Sequence, residues 1–465
     1  MIRKFISRVF SGKKPKASKH EPAVIPVSSH GITRDRLSSG SRRVCETLQG
    51  HGFKAYVVGG AVRDLLIGAD PKDFDIATDA TPEEVRRAFR RSRIIGRRFQ
   101  IVHVMMGQET LEVTTFRGTL DEKTKTDEHG RVLHDNVFGS HAEDAARRDF
   151  TINALYYDPV ADIVLDYHDG VRDLKARTLR MIGDPVTRFR EDPVRMLRIA
   201  RFVAKLGFKI DPATRKPIAG LAPLVRNVPS ARLFDEMLKL LTSGHAMACL
   251  QELRREGLHH GMLPMLDVIL EQSDGKSFVS IALERTDERV RADRTISPGF
   301  LFATLLWQPV AARWREGVAR GAPAIPALGD AIDSVLDEQG NRLAITRRFL
   351  ADMREIWMMQ PRFERRTGRS PWGLVEHLRF RAGYDFLLLR CQSGELPEEI
   401  GRWWTDFQGA DNEQREALIA AAQASRSAGG PGSGAGARKR RRRSGRKRSE
   451  SAGEGRDLSD PGQAA

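Results

Sequence analysis

Asp73 and Asp75, separated only by Phe74, are the first side chains whose type and spacing suggest chemistry. In an extended segment alternate side chains share a face, so the two carboxylates would lie about 7 Å apart, with Phe74 turned into a core. Carboxylates so placed can hold Mg²⁺ ions that also grip phosphate oxygens, the two-ion arrangement for in-line phosphoryl displacement. An Asp-x-Asp on a surface strand is more often simply solvated, so its neighbours must decide.

Residues 55–58 (Ala-Tyr-Val-Val) read as a strand that ends at Gly59-Gly60, with a helix resuming near Ala61 and closing at Gly68. Backbone N–H groups at such a helix start are free to meet a triphosphate, and glycine allows close approach. No Gly-Lys-Ser/Thr follows, which excludes a Walker loop, and the third glycine of a dinucleotide fingerprint is missing. Arg63 and Asp64 are polar residues at the ligand end of that helix. Glu112, between Leu111 and Val113, faces away from those apolar neighbours. It is either a third carboxylate for metal beside Asp73 and Asp75 or the solvated side of an alternating strand. Arg117 follows five residues later, placed for phosphate.

The elements that must position these groups are α/β in character up to about residue 160. Residues 42–49 read as helix, and Thr81-Pro82-Glu83-Glu84 is a helix start with a Thr cap, Pro first and Glu third. Residues 101–106 and 110–116, joined through Gly107, read as an antiparallel hairpin. Residues 119–140 are polar, without periodicity, and read as a mobile loop. Beyond residue 170 the pattern is helical. Asp192-Pro193 opens a long helix that Gly207 stops, and residues 231–242, 247–256 and 343–359 are amphipathic.

The 465 residues, 40% hydrophobic, leave room for two or three units. No run of about 18 apolar residues suggests a transmembrane helix. The odd, scattered cysteines Cys45, Cys249 and Cys391 argue against a disulfide framework and fit a reducing cytoplasm. Of the net charge of +16, residues 1–20 carry +7 and residues 426–465 another +7, leaving a body of only +2. Two basic ends on a nearly neutral body point to a polyanionic partner held by flexible arms, the alternative being tails that merely aid solubility. Ile2, Phe5, Ile6, Val9 and Phe10 fit either a short helix in weak peripheral contact with an anionic membrane or with RNA, or a frayed terminus, and we favour the last. Residues 1–30 and the Gly/Ser/Arg-rich residues 426–465 are expected to be disordered.

Five segments run in order: residues 59–68 (Gly59-Gly60 through Arg63-Asp64 to Gly68), 72–75 (Lys-Asp-Phe-Asp), 112–117 (Glu-Val-Thr-Thr-Phe-Arg), 147–153 (Arg-Arg-Asp-Phe-Thr-Ile-Asn) and 190–195 (Arg-Glu-Asp-Pro-Val-Arg). Together they closely resemble the class II tRNA nucleotidyltransferase/poly(A) polymerase superfamily, and residues 231–241 resemble its neck. The resemblance implies an α+β protein: a nucleotidyltransferase head (31–165) on a small mixed β-sheet of five strands, a helical neck (166–245) and a helical body (246–425). It implies that Asp73 and Asp75 hold Mg²⁺ and activate a primer hydroxyl, and that Gly59, Gly60 and Arg63 hold the triphosphate. Arg148, Asp149 and Asn153 would line the nucleotide site, with Asp149 near the ribose or the catalytic centre as a further catalytic carboxylate.

Asp192 and Arg195, taken as three apart on one helix face, would read the base. Adenine and cytosine both present an amino donor beside a ring-nitrogen acceptor, which a carboxylate and a guanidinium complement. The pair therefore favours A or C without choosing between them. Residues 94–99 (Ile-Ile-Gly-Arg97-Arg98-Phe), leading into His103-Val104, resemble the segment that sets bacterial poly(A) polymerases apart from CCA-adding relatives. They belong to an Arg-rich stretch, 86–98, suited to phosphate contacts. Arg440, Arg441, Arg442 and Arg443 in the tail would add sequence-independent contacts.

The expected activity is template-independent addition of AMP from ATP to RNA 3′ ends in the cytoplasm, with RNA-decay proteins as further partners of the tail. A CCA-adding enzyme and a non-catalytic RNA-binding protein on the same fold are the alternatives. His259-His260 lacks a following His-Asp metal pattern, so a loop or core role is expected. Packing is expected for most of the six tryptophans, although such rings also stack on RNA bases.

Overall fold

The computed structural model describes residues 21–96, 100–118, 137–259, 278–340 and 344–428. The expectations for residues 1–20, for Arg97 and Arg98, for residues 119–136, for His260 and for Arg440–Arg443 lie outside the described residues.

Alternating apolar residues build a mixed sheet, as expected, but of eight strands rather than five. They are β1 (Ala23–Pro26), β2 (Ala55–Val58), β3 (Asp75–Thr78), β4 (Ser92–Ile95), β5 (Ile101–Met106), β6 (Glu109–Thr115), β7 (Leu155–Asp158) and β8 (Ile163–Asp166). Their order is β1-β8-β7-β2-β3-β6-β5-β4. β3 and β6 run parallel, while the other neighbours are antiparallel. The strands that escaped the sequence are four residues long, too short for alternation to register. β1 also corrects the N-terminal boundary. It pairs with β8 inside the stretch expected to be disordered, and His30 just after it is buried and accepts from the Ile32 N–H.

One face of the sheet is sealed by helices. Val102, Val104, Leu111 and Val113 of the β5–β6 hairpin join Ile76, Val44, Leu48 and Val62 in one core. Between Met106 and Glu109 the chain turns at Gly107, where φ is +64°, a conformation that favours glycine. The Pro82–Ala88 helix carries the expected cap. The Thr81 hydroxyl accepts from Glu84 N–H, and the Glu84 carboxylate accepts from Thr81 N–H at 2.8 Å.

The helix Val194–Leu206 ends at Gly207 in the left-handed conformation, φ +66°. Its apolar side meets Leu233, Met237 and Leu250 in a core that runs on through Phe302, Trp307, Trp357 and Phe386. Residues on both sides of the expected neck–body boundary thus pack in one cluster. A second cluster gathers Phe363, Tyr384, Trp403, Trp404 and Phe407. Four tryptophans, Trp307, Trp357, Trp403 and Trp404, are buried, and so is His259. The three cysteines are free and buried. No helix among the described residues is long and apolar enough to cross a membrane.

The cap gives a direct test. Thr81→Ala should cost about 1 kcal/mol, read as a lower denaturation midpoint, with Thr81→Ser recovering most of it. An unchanged midpoint would show that the cap contributes nothing.

Candidate active site

A cleft of about 800 Å³ is lined by the glycine turn, the start of β3 and the neck helices. Asp75 opens β3, with Val58 on one side and Glu112 on the other. Asp73 stands ahead of the strand, so strand alternation does not fix it as the spacing suggested; both carboxylates nevertheless line the cleft. Phe74 packs against the head core, as expected. Neither Asp73 nor Asp75 makes a side-chain hydrogen bond or ion pair with another described residue. The cleft walls strip water from Asp75, and with the Glu112 and Asp73 charges they push its carboxyl up to about 6, against the pull of Arg148. Two mutually repelling oxygen donors without partners are a donor set that a hard divalent cation relieves, so these residues fit Mg²⁺.

Glu112 is a weaker metal candidate than the sequence suggested. It sits beside Asp75 in register, but its carboxylate lies 3.5 Å from His103 Nε2 and is not part of the cleft lining. Among the described residues no three His, Cys, Asp or Glu side chains gather as a ready ligand set.

The glycine turn is conformationally demanding. Gly59 has φ +74° and ψ −124°, and a Cβ there would lie 3.5 Å from Arg148 Nη1. In the following helix Arg63, 4% exposed, donates to Asn153 Oδ1 at 2.8 Å and lies over the Phe202 ring. Asp64, expected to bind nucleotide, is instead Arg63's anchor at 2.7 Å and is not part of the lining.

Asp144 went unnoticed in the sequence, yet it fixes two of the expected phosphate ligands. It accepts from Arg148 Nη2 at 3.0 Å, from Tyr156 Oη at 2.7 Å and from the Arg117 N–H at 3.2 Å. Burial opposes its charge, but Arg148 and Arg117 hold its carboxyl at about 2. The signal was present: Ser140 and Glu143 form a capping box, and Asp144 stands four residues before Arg148. Asp149 is likewise committed to the wall. It accepts from Phe150 N–H at 2.8 Å and Asn153 Nδ2 at 3.1 Å, and pairs with Arg198 at 2.8 Å. Burial raises its pKa, and Arg198 with these hydrogen bonds brings it below the ordinary carboxylate range.

Asp192 and Arg195 do not stand one turn apart on a single helix. Asp192 is the extended residue (φ −150°, ψ 91°) that ends the helix Pro185–Glu191, and Arg195 belongs to the next helix. Pro193 between them explains the break, since the residue before proline is driven out of helical conformation. Asp192 Oδ2 accepts from Arg232 at 3.0 Å, while its buried Oδ1 has no hydrogen-bond partner among the described residues. Arg195 donates to the Arg188 carbonyl at 2.7 Å and to Glu191 at 3.0 Å. Arg188 in turn donates to the Arg148 carbonyl at 2.6 Å, and burial with the Arg195 charge lowers it to about 10.

In all, ten Lys/Arg and five Asp/Glu side chains line the cleft, an excess suited to a polyphosphate. Sequence reasoning missed Arg188, Glu191, Arg198, Arg201, Arg232 and Lys239. The three-residue spacing of Arg195, Arg198 and Arg201 could have revealed the charged helix face.

Mixed sheet, glycine turn and free carboxylate pair, closed over by a cationic helical neck, define a nucleotidyltransferase. A CCA-adding enzyme of Bacillus stearothermophilus, solved with CTP, matches 82% of this chain and 81% of its own at 27% identity and a TM-score of 0.51. Family models described as poly A polymerase head domain, probable RNA and SrmB-binding site of polymerase A, and polymerase A arginine-rich C-terminus match residues 55–180, 207–270 and 320–448. Poly(A) polymerase I of Haemophilus influenzae is 42% identical, over 88% of this chain and 93% of that protein. Poly(A) polymerase I of Salmonella typhi is 41% identical over 90% and 92%. The CCA-adding enzyme of Bacillus licheniformis is 39% identical over only 47% of this chain and 54% of its own. The chain belongs to the poly(A) polymerase family.

The Asp144 knot makes a stability prediction. Its folded pKa lies below the ordinary 3.8, so its stabilisation is present above that pH and is lost as pH falls toward about 2. Asp144→Asn should therefore cost about 2 kcal/mol at pH 7, with the gap to the parent protein closing between pH 4 and pH 2 in denaturant titrations. A gap that stays constant with pH would remove the charge explanation.

Proposed function

We propose that the cleft transfers AMP from ATP to the 3′-hydroxyl of RNA without a template, releasing pyrophosphate. The observation that carries this reading is the partnerless Asp73/Asp75 pair facing a cation-rich wall. Asp73 and Asp75 would hold Mg²⁺, two ions in our reading, and bound Mg²⁺ supplies neutralisation of phosphate charge and a more acidic attacking hydroxyl. Gly59 and Gly60 bring backbone to the triphosphate, and Arg63, Arg117 and Arg148 bind its oxygens from positions already fixed by Asp64 and Asp144. Asn153 and Asp149 keep Arg63 and Arg198 in place. The vacant Asp192 Oδ1 is an acceptor for the exocyclic amino group of adenine, and Arg195 is the donor for the ring nitrogen beside it.

The division of labour we favour puts catalysis in the head, with its boundary moved back to take in β1, and base reading with further RNA contact in the helical residues 166–425, whose main core crosses the expected boundary at 245, helped by the basic ends. What supports membrane contact by residues 1–20 and decay-protein contact by residues 426–465 is their charge alone. The free, buried cysteines support a reducing cytoplasm.

Purified full-length protein, Mg²⁺, a non-tRNA oligonucleotide and each nucleoside triphosphate in turn form the deciding assay. ATP alone should give an extending ladder. Activity confined to C-C-A on truncated tRNA would overturn the reading in favour of the CCA alternative. Replacing Asp73 and Asp75 together by Ala should lower addition by on the order of 10³-fold or more, as loss of charge stabilisation at a reacting centre does, with RNA binding kept. Retained activity would reject their role, whereas a parent protein that binds RNA and adds no nucleotide would leave the non-catalytic alternative standing.

A further inference from the structure

The sheet carries a row of side chains that starts at Asp75 and runs to the β4 edge of the sheet. Asp75 pairs with Glu112, Glu112 with His103, and His103 with Arg93, across β3, β6, β5 and β4. Directly paired residues point to one face, and the opposite face of these strands is the sealed one, with Ile76, Val113 and Val102 in the core. On the row's own face Glu112, Arg93 and Met105 are exposed, Met105 at 38%.

At the far end the charge changes sign. Arg86, Arg87, Arg90, Arg91 and Arg93 are all exposed, and none makes an ion pair or side-chain hydrogen bond with another described residue. The nearby acids are Glu83 and Glu84, and Glu84 is taken up by the Thr81 cap. Favourable interaction with a helix C-terminus accounts for Arg86 and Arg87, and a charged edge strand discourages sheet-to-sheet aggregation. Neither explains Arg90 and Arg91 between helix and strand, and Arg93, on the edge strand β4, also stands on the row that begins at Asp75.

We infer that this sheet face, from Asp75 to the arginines of residues 90–93, is the track on which single-stranded RNA lies upstream of its 3′ end. The inference rests on the RNA-adenylating reading above. Three inter-strand steps span about 14 Å, roughly four nucleotides at about 3.4 Å of stacked rise each. The terminal hydroxyl sits at Asp75, His103 and Met105 offer soft, base-sized contacts, and the arginines take the phosphates. Glu112, opposite His103, keeps phosphates toward the arginine end. Such a grip contacts no base edge through a fixed donor pattern, so it accepts RNA of any sequence.

The test compares the parent protein with Arg90→Ala/Arg91→Ala/Arg93→Ala and with the corresponding triple Lys variant, on a trinucleotide primer and on a primer of roughly 15 nucleotides. Loss of the arginines should raise KM for the long primer by on the order of 100-fold at low salt, leave KM for the trinucleotide within twofold, and be largely rescued by Lys. Three lost phosphate contacts at a slope of about 0.7 each also predict that the variant-to-parent KM ratio shrinks roughly 20-fold between 50 and 200 mM salt. An unchanged KM for the long primer, or equal rises for both primers, would overturn the track. Should the parent protein adenylate no RNA, the functional reading fails by itself. Filter binding of the long RNA to parent and variant then decides the track: weaker binding by the variant supports it and equal binding rejects it.

Discussion

Crowding ten cations around one cleft is unfavourable unless each charge is held from behind, and the carboxylates of this protein are spent largely on that task. Asp64 holds Arg63, Asp144 holds Arg117 and Arg148, Asp149 holds Arg198, Glu191 holds Arg188 and Arg195, and Asp192 holds Arg232. Arg201, on the same helix face, is held by Glu236 of the neck. A guanidinium tethered on one side presents its remaining N–H groups in a fixed direction, which is preorganisation in the sense that matters for transferring phosphates. Asp73 and Asp75 are exempt from this service among the described residues, and the metal role proposed for them rests on that exemption.

The same pairs tie the elements together. Arg198 and Arg188 reach from the helices after residue 180 to Asp149 and to the Arg147 and Arg148 carbonyls of the head, and Arg232 reaches from the neck to Asp192. The walls of the cleft thus come from sequence segments up to 180 residues apart, Gly59 to Lys239, so the site exists only when head and neck are folded against each other. The continuous core from Phe150 to Leu389 secures that arrangement. It also explains why the neck–body boundary drawn from sequence has no counterpart in the packing.

Much of the site was legible because its chemistry is local. The glycine turn, the Asp73/Asp75 pair and the residue 147–153 segment each announce themselves within ten residues. Legibility failed where a role depends on a partner far along the chain. Asp64 reads as a ligand in the sequence because its bond to Arg63 is visible only once Asn153 and Phe202 have fixed the guanidinium. Asp192 and Arg195 were placed on one helix because spacing alone does not reveal that Pro193 breaks it. Likewise, four-residue strands such as β1 and β4 owe their existence to the sheet edges they extend rather than to any pattern of their own.

The two sides of Asp75 use arginine in opposite ways, and the difference follows from what each must hold. On the neck side the guanidiniums are buried or half-buried and tethered by carboxylates, which costs net attraction for phosphate but sets direction. A nucleoside triphosphate has one productive geometry, so direction is what that side needs. On the β4 side the arginines are exposed and make no ion pair with another described residue, so no described carboxylate offsets their charge. A strand of arbitrary sequence, advancing one nucleotide after each addition, has no single geometry to be matched, and a mobile cation binds each successive phosphate equally well. In the reading proposed above, Asp73 and Asp75, which have no side-chain partner among the described residues, lie where these two regimes meet, at the point where the chain end would be held once per cycle and then released.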